Sequence, residues 1–280
     1  MKTNMPAGIL PPDAPFTFSQ SSLQDYLDCP RRFQLRYVQD MPWPAVDAEP
    51  LSQVEHRQQE ALLFHRMVQQ HYLGIPPAAL AQMAATPDLA RWWNHFTAAA
   101  PDLSGWRLST EKALACRVGS HRLLCKYDLV AVRDGKALIY DWKTFARRPK
   151  NEWLAARMQT KVYSAMLVQA GAELNEARPF APSDVSMIYW FAEFPDDPAA
   201  FQYDVQHYTR DWQFVEGLVR EIADASEFPL TDDPGRCRFC TYRSLCGRGQ
   251  SAGTDPDFES EHMGAGRAAS GLEQAGEMQV

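Results

Sequence analysis

From Ser19 onward, apolar residues recur at helical spacing, with Leu23, Tyr26, Phe33 and Tyr37 on one side. This predicts an amphipathic helix capped by the serine. Pro30 interrupts the pattern and predicts either a kink or a second helix that begins at its own first turn. Residues 52 to 73 form a longer helical pattern, with Leu62, Leu63, Met67, Val68 and Tyr72 on the apolar side. More helix is expected through "LARWWNHF". The period then changes to strands: "WRLSTEKALACRV" (106 to 118), "HRLLCKYDLVAVR" (121 to 133) and "KALIYDWKT" (136 to 144), joined by Gly-containing turns. Such spacing predicts an antiparallel meander. A helix from about 152 to 169 follows, then an apolar strand, "DVSMIYWFAEF", the segment "FQYDVQHY", and a final helix from about 209 to 226. The order is mixed α/β: a central sheet combining the antiparallel meander with a parallel strand, flanked by helices.

The ends lack this periodicity. Residues 1 to 15, with four prolines, read as a flexible leader, and the Gly, Ala and Glu-rich stretch 251 to 280 reads as a disordered acidic tail. One domain is expected over 16 to 250, with a helical insertion at about 52 to 100 and a cysteine cluster at 237 to 246. At 280 residues and 45% apolar content the chain can bury a sizeable core. It shows no signal-peptide pattern and no run of about eighteen apolar residues, so no membrane partner is expected and a cytoplasmic location follows. In a reducing compartment a tight cysteine cluster more often holds metal than a disulfide.

The net charge of −7 argues against a nucleic-acid partner only until its distribution is considered. The tail alone carries six acids against Arg267, so the remainder is nearly neutral. Within that remainder, Lys143, Arg147, Arg148, Lys150, Arg157 and Lys161 face only Glu152, and Arg236, Arg238, Arg243 and Arg248 surround the cysteines without an acid. Each patch taken singly reads as a solvated face. Together they leave room for a polyanionic partner.

Asp134-Gly135 between two strand runs predicts a type I′ hairpin, which fixes the register so that paired residue numbers sum to 269. Asp128 then faces Asp141, with Lys143 on the same face one pleat further on. Carboxylates placed this way lie about 5 Å apart at Cβ and repel each other unless a cation intervenes. A hard divalent ion, magnesium or manganese, is the economical cation, and a neighbouring lysine can hold a water or balance charge on a phosphate. Phosphodiester hydrolysis is the chemistry favoured. His65 points to the core side of its helix and alone reads as a packed histidine. Glu111 in the first strand of the meander could add a carboxylate or face water. Gln159 and Tyr163, four apart, share one helix face.

Cys237-x2-Cys240-x5-Cys246 supplies three soft ligands, and Cys29, directly before Pro30, is the candidate fourth. Residue types leave open whether the centre is zinc or a four-iron cluster. Cys116 and Cys125 sit on strands and read as buried thiols.

These features together resemble the RecB-type branch of the PD-(D/E)xK nuclease superfamily, and specifically its iron–sulphur members, such as the AddB nuclease domain and the CRISPR-associated adaptation nucleases. The resemblance rests on "SQSSLQDYLDCPRRFQLRY", "LFHRMVQQH", "KYDLV", "YDWKT", "QTKVY" and "CRFCTYRSLC", in that order over residues 18 to 247. It implies a restriction-endonuclease-like core, with His65, Asp128 and Asp141 as ligands of Mn2+ or Mg2+. Lys143 becomes the catalytic lysine, and Gln159 with Tyr163 a DNA-contacting and supporting motif. Glu111 is accessory. Cys29, Cys237, Cys240 and Cys246 become ligands of a [4Fe-4S] cluster joining the N- and C-terminal segments. One departure is Cys125, three residues before Asp128, where such families often carry glycine. The implied activity is that of a metal-dependent deoxyribonuclease, an exonuclease on single-stranded DNA or free ends, serving repair, recombination or DNA processing. No Walker-type phosphate loop occurs, so a helicase, like CRISPR adaptation proteins, would be a separate partner. The competing class is a catalytically silent nucleic-acid-binding or assembly subunit on the same scaffold, with an iron–sulphur or zinc centre.

Overall fold

The computed structural model describes residues 10, 14–41, 49–238 and 240–249. The expected acidic tail, and the expected leader apart from Leu10, Ala14 and Pro15, lie outside them. The chain divides into two compact units. The first comprises Met1–Val54, Arg117–Leu123 and Phe214–Val280, and the second Glu55–Cys116 and Leu124–Gln213.

In the first unit, β1 (Thr17–Ser19) leads into α1 (Gln20–Asp28). Ser19 caps the helix as its sequence predicts. Its hydroxyl accepts from the Ser22 amide at 3.1 Å, and the Ser22 hydroxyl accepts from the Ser19 amide at 2.9 Å. This reciprocal pair satisfies two amides that would otherwise lack partners. Cys29 is extended (φ −165°, ψ 107°) and ends α1, and Pro30 opens α2 (Pro30–Phe33). Of the two readings of the proline, the second helix is the one observed, because its fixed φ and missing N–H suit a first turn. The chain continues through one π-helical turn, Gln34–Val38. Phe33 stacks with Phe18 and Phe228 and meets Tyr26 edge-on, which gives this unit an aromatic centre.

The second unit carries most of α3 (Glu49–Tyr72), then α4 (Pro77–Ala81) and α5 (Pro87–Ala99). The strands β2 (Arg107–Val118), β3 (His121–Arg133) and β4 (Lys136–Lys143) form the expected meander. After β4 come α6 (Asn151–Ala156) and α7 (Met158–Ala170), then β5 (Val185–Phe191) and β6 (Phe194–Gln202). The last helix, α8 (Val205–Asp224), starts in this unit. Strands run in the order β3-β4-β5-β6, with β2 also on β3. The β4–β5 pair is parallel and its two flanking pairs are antiparallel, so the sheet is mixed as expected. A parallel neighbour requires a crossover, and α6 with α7 provides it.

Three details differ from the sequence pattern. The helix expected over 152 to 169 breaks at Arg157, which is extended (φ −69°, ψ 145°) between α6 and α7. The strand β6 begins seven residues before "FQYDVQHY" and takes in only its first two residues, and Pro195 and Pro198 hide it. Proline cannot donate to a ladder, but β6 is an edge strand and needs partners on one side only. Leu62, expected on the apolar side of α3, is exposed.

Tyr140 and Trp142 on one face of β4 pack into a cluster with Phe64, Trp92, Trp93, Phe96 and Trp190. Trp142 stacks on Tyr140 and Tyr72 and meets Phe96 edge-on. A buried tryptophan removes about 150–250 Å² from water. At about 25 cal/mol per Å², each contributes up to about 4–6 kcal/mol, which holds β4 rigidly from behind. The opposite face of β4 carries Asp141 and Lys143.

Candidate active site

The hairpin that joins β3 to β4 turns at Asp134 and Gly135, both with positive φ (51° and 78°), as a type I′ turn requires. The pairing rule of 269 holds from Arg133↔Lys136 to Leu129↔Tyr140 and stops there. The expected Asp128–Asp141 rung is therefore one step beyond the ladder. Tyr127 contacts Tyr163 of α7, whereas Leu129 belongs to the aromatic core, so the alternation of faces is interrupted at Asp128. Its carboxylate bonds where a backbone carbonyl would have: Oδ2 accepts from the Trp142 amide at 2.9 Å. That same oxygen lies 3.2 Å from His65 Nδ1 on α3. His65 thus turns toward a carboxylate and is not a core histidine satisfied by packing.

Asp141 and Lys143 stand on the neighbouring strand, two residues apart on one face. Lys143 Nζ lies 2.9 Å from Asp141 Oδ2, and both side chains are largely buried. Gln159 closes the group from α7. Its Nε2 donates to Asp141 Oδ1 at 2.5 Å, and its Oε1 accepts from Lys143 Nζ at 3.0 Å. The break at Arg157 sets Gln159 in the first turn of α7, where the amide end of the helix also favours a nearby carboxylate. Tyr163, one turn further along, donates to the Lys126 carbonyl at 2.8 Å, and the Tyr127 hydroxyl donates to the Tyr163 carbonyl at 2.9 Å. These two bonds tie α7 to β3.

The electrostatics follow from placing four charged groups in a confined site. Burial by itself would lower the His65 pKa, but the Asp128 charge and hydrogen bond raise it above the ordinary histidine value. Asp128 is the mirror case: burial works upward, yet His65 and the Trp142 amide hold it below the usual aspartate value. Asp141 is raised, by burial and by the charge on Asp128, against the opposing pull of Lys143. The two carboxylates are pushed apart as coupled acids are. Asp141 Oδ2 is buried, with the Lys143 ammonium 2.9 Å away.

Two carboxylates and an imidazole make a donor set suited to a hard divalent ion. Among the described residues, however, no three His, Cys, Asp or Glu side chains converge as a group able to hold a metal. The carboxylates draw His65 and Lys143 as their cations. Glu111 stands outside this network. It adopts a positive φ of 52° within β2 and forms an ion pair with Lys126. The basic segment places Arg157 4.8 Å over the ring of Trp153, a residue that sequence reasoning did not single out.

In the first unit, Cys29 and Cys237 are buried, while Cys240 and Cys246 are partly buried. Burial raises the thiol pKa of Cys237, Cys240 and Cys246, and the charge of Cys29 adds to each. The finding that no metal-holding group forms among the described residues applies here too. The arginines beside the cysteines are engaged within the unit. Arg32 is buried between Asp25 (2.9 Å) and Asp28 (2.8 Å), and Arg236 pairs with Asp28. Cys125 is fully buried, and burial together with Cys116 pushes its pKa well up. It is an inert thiol, as expected.

A mixed sheet that presents Asp and Asp-x-Lys on adjacent strands, with a helix-borne glutamine bridging them, is a restriction-endonuclease-like arrangement. The sequence pattern of the PD-(D/E)XK nuclease superfamily matches residues 17–247, and the chain belongs to that superfamily. Among solved structures, a protein named SSO0001 is 13% identical, with 85% of this chain and 89% of that chain covered and a TM-score of 0.40. A protein from Eubacterium rectale whose name suggests an exonuclease is 11% identical, with 88% and 92% covered and a TM-score of 0.47. A search of curated sequences returns no similar protein.

Proposed function

We propose that this protein is a metal-dependent deoxyribonuclease of the RecB type that hydrolyses phosphodiester bonds from free or single-stranded DNA ends. The observation that carries the reading is the bridge from Gln159 to both Asp141 and Lys143, beside the Asp128–His65 pair. Such a bridge holds an ammonium and a carboxylate in fixed relation on a rigid strand. Asp128, Asp141 and His65 would hold Mg2+ or Mn2+, since each carboxylate already draws a cationic partner. When bound, the ion supplies Lewis-acid polarisation of the phosphate and lowers the pKa of a water. Lys143 contributes a positive charge toward the phosphate oxygens, where charge accumulates during transfer. Gln159 orients that lysine, and Tyr163 anchors the helix that carries Gln159. Glu111, in an ion pair with Lys126, is accessory.

The same reading assigns Cys29, Cys237, Cys240 and Cys246 to a [4Fe-4S] cluster that joins the two ends of the first unit. The burial of Cys29 and Cys237 supports it, as does the buried Nε of Arg32, which lacks a hydrogen-bond partner.

The decisive assay follows end-labelled single- and double-stranded DNA with wild type and Asp141→Ala, in magnesium, manganese and chelator. Cleavage should require a metal and fall at least about 10-fold in the variant, since even a residue that only supports a metal ligand is worth about 10- to 100-fold. Wild type that cuts no DNA with either ion, or a variant that cuts as well as wild type, ends the proposal.

A further inference from the structure

α6 is a short helix with an unusual division of labour. Leu154 is buried and anchors it, while the neighbouring Trp153 leaves 38% of its surface exposed. Arg148 secures the helix start by donating to Asn151 Oδ1 at 2.9 Å, and its guanidinium lies 4.4 Å over the Phe191 ring. At the other end, Arg157 adopts the extended conformation that ends α6 and places its guanidinium 4.8 Å over the Trp153 ring. Arg157 is two residues before Gln159, so its backbone is within about 7 Å of the residue that bridges Asp141 and Lys143. Lys150 and Lys161 lie in the same segment, where Glu152 is the only acid between Lys143 and Lys161.

An indole under an arginine, in a basic segment that leads into Gln159, the residue bonded to Lys143, has the composition of a single-strand stacking site, where aromatic faces take bases and cations follow the backbone. Resting on the nuclease reading above, we propose that Trp153 and Arg157 form a platform for an unpaired DNA base next to the nucleotide engaged at Lys143. Trp153 supplies the stacking face. Arg157 holds that ring in place and carries positive charge toward the adjoining phosphate. This platform gives the enzyme its preference for single strands, since a base within a duplex is already stacked on its neighbours. A merely local role, in which the arginine clips the α6–α7 corner to the ring, predicts no dependence on the base.

The test is fluorescence anisotropy of a labelled oligodeoxythymidine in chelator, with full-length wild type, Trp153→Ala and Trp153→Phe, and with oligonucleotides carrying one abasic residue at successive positions. Trp153→Ala should weaken single-strand binding about 5- to 150-fold, the range for loss of one stacked base. Trp153→Phe should recover most of the loss. One abasic position should weaken binding by wild type and add nothing to Trp153→Ala. Binding by a folded Trp153→Ala within twofold of wild type overturns the platform, as does an abasic effect of equal size in both proteins. Because chelator stops cleavage, this result is separate from the nuclease assay: base-dependent binding by a protein that never cuts DNA would reject the nuclease reading alone.

Discussion

Replacing Gln159 by alanine removes two hydrogen bonds at once, the donor to Asp141 Oδ1 at 2.5 Å and the acceptor for Lys143 Nζ at 3.0 Å. Hydrogen bonds to charged groups contribute about 1.5–3 kcal/mol each, but Gln159 is only partly buried, so water can replace some of both. A combined loss of about 1.5–3 kcal/mol is expected, which is about 10- to 150-fold in rate when it falls on the reacting geometry. The loss has a direction in pH as well. Asp141 is already raised by burial and by Asp128, and the Gln159 amide is a donor that favours its ionised form. Without that donor the metal-free Asp141 protonates more easily, so loading of manganese, and with it the acid limb of the pH–rate profile, moves to higher pH. Gln159→Glu should shift the limb further, because a carboxylate still accepts from Lys143 but sets a negative charge against Asp141. The assay is cleavage of end-labelled single-stranded DNA in manganese from pH 5 to 9. A Gln159→Ala enzyme within twofold of wild type, with its acid limb unmoved, would refute the bridging role.

Two further outcomes concern the first unit. Arg32→Met leaves Asp25 and Asp28 buried without their shared cation, and breaking a buried pair costs about 3–5 kcal/mol. Arg36, Tyr37 and Arg236 remain on those carboxylates, so the loss should be near the lower figure, a fall in Tm of about 6–12 °C for a domain of this size. A change below 2 °C in a thermal melt would contradict it. Protein purified without oxygen should be brown and contain iron, Cys29→Ala should lose both colour and iron, and Cys116→Ala should keep them. A colourless wild type containing zinc would replace the cluster with a zinc site.

Much of the fold is legible because its signals are local. The Ser19 cap, the proline start of α2 and the Asp134-Gly135 turn each depend on a few neighbouring residues, and a type I′ hairpin leaves the strands no choice of register. Parts that depend on distant residues were not legible in the same way. The prolines of β6 argue against a strand until an edge position makes their missing donors harmless. Nothing in the residues around Arg157 marks a helix break, and it emerges only where Leu154 and Met158 are both buried on the packed side. The arginines near the cysteines looked like a positive surface, yet Arg236 pairs with Asp28, and Arg32 is buried on Asp25 and Asp28, seven and four residues before it.

The residue types of the site, and the strands that carry Asp128, Asp141 and Lys143, were determined by the sequence alone, because a two-residue turn and a period of two propagate register without outside help. Tertiary structure decided how those groups are used. Packing ended the β3–β4 ladder one rung early, turned the Asp128 carboxylate onto the Trp142 amide and toward His65, and brought Gln159 from another element between Asp141 and Lys143. Local spacing cannot specify such contacts: they join residues far apart in the chain, and the aromatic layer behind β4, with the two tyrosine bonds that tie α7 to β3, holds them at hydrogen-bonding distance.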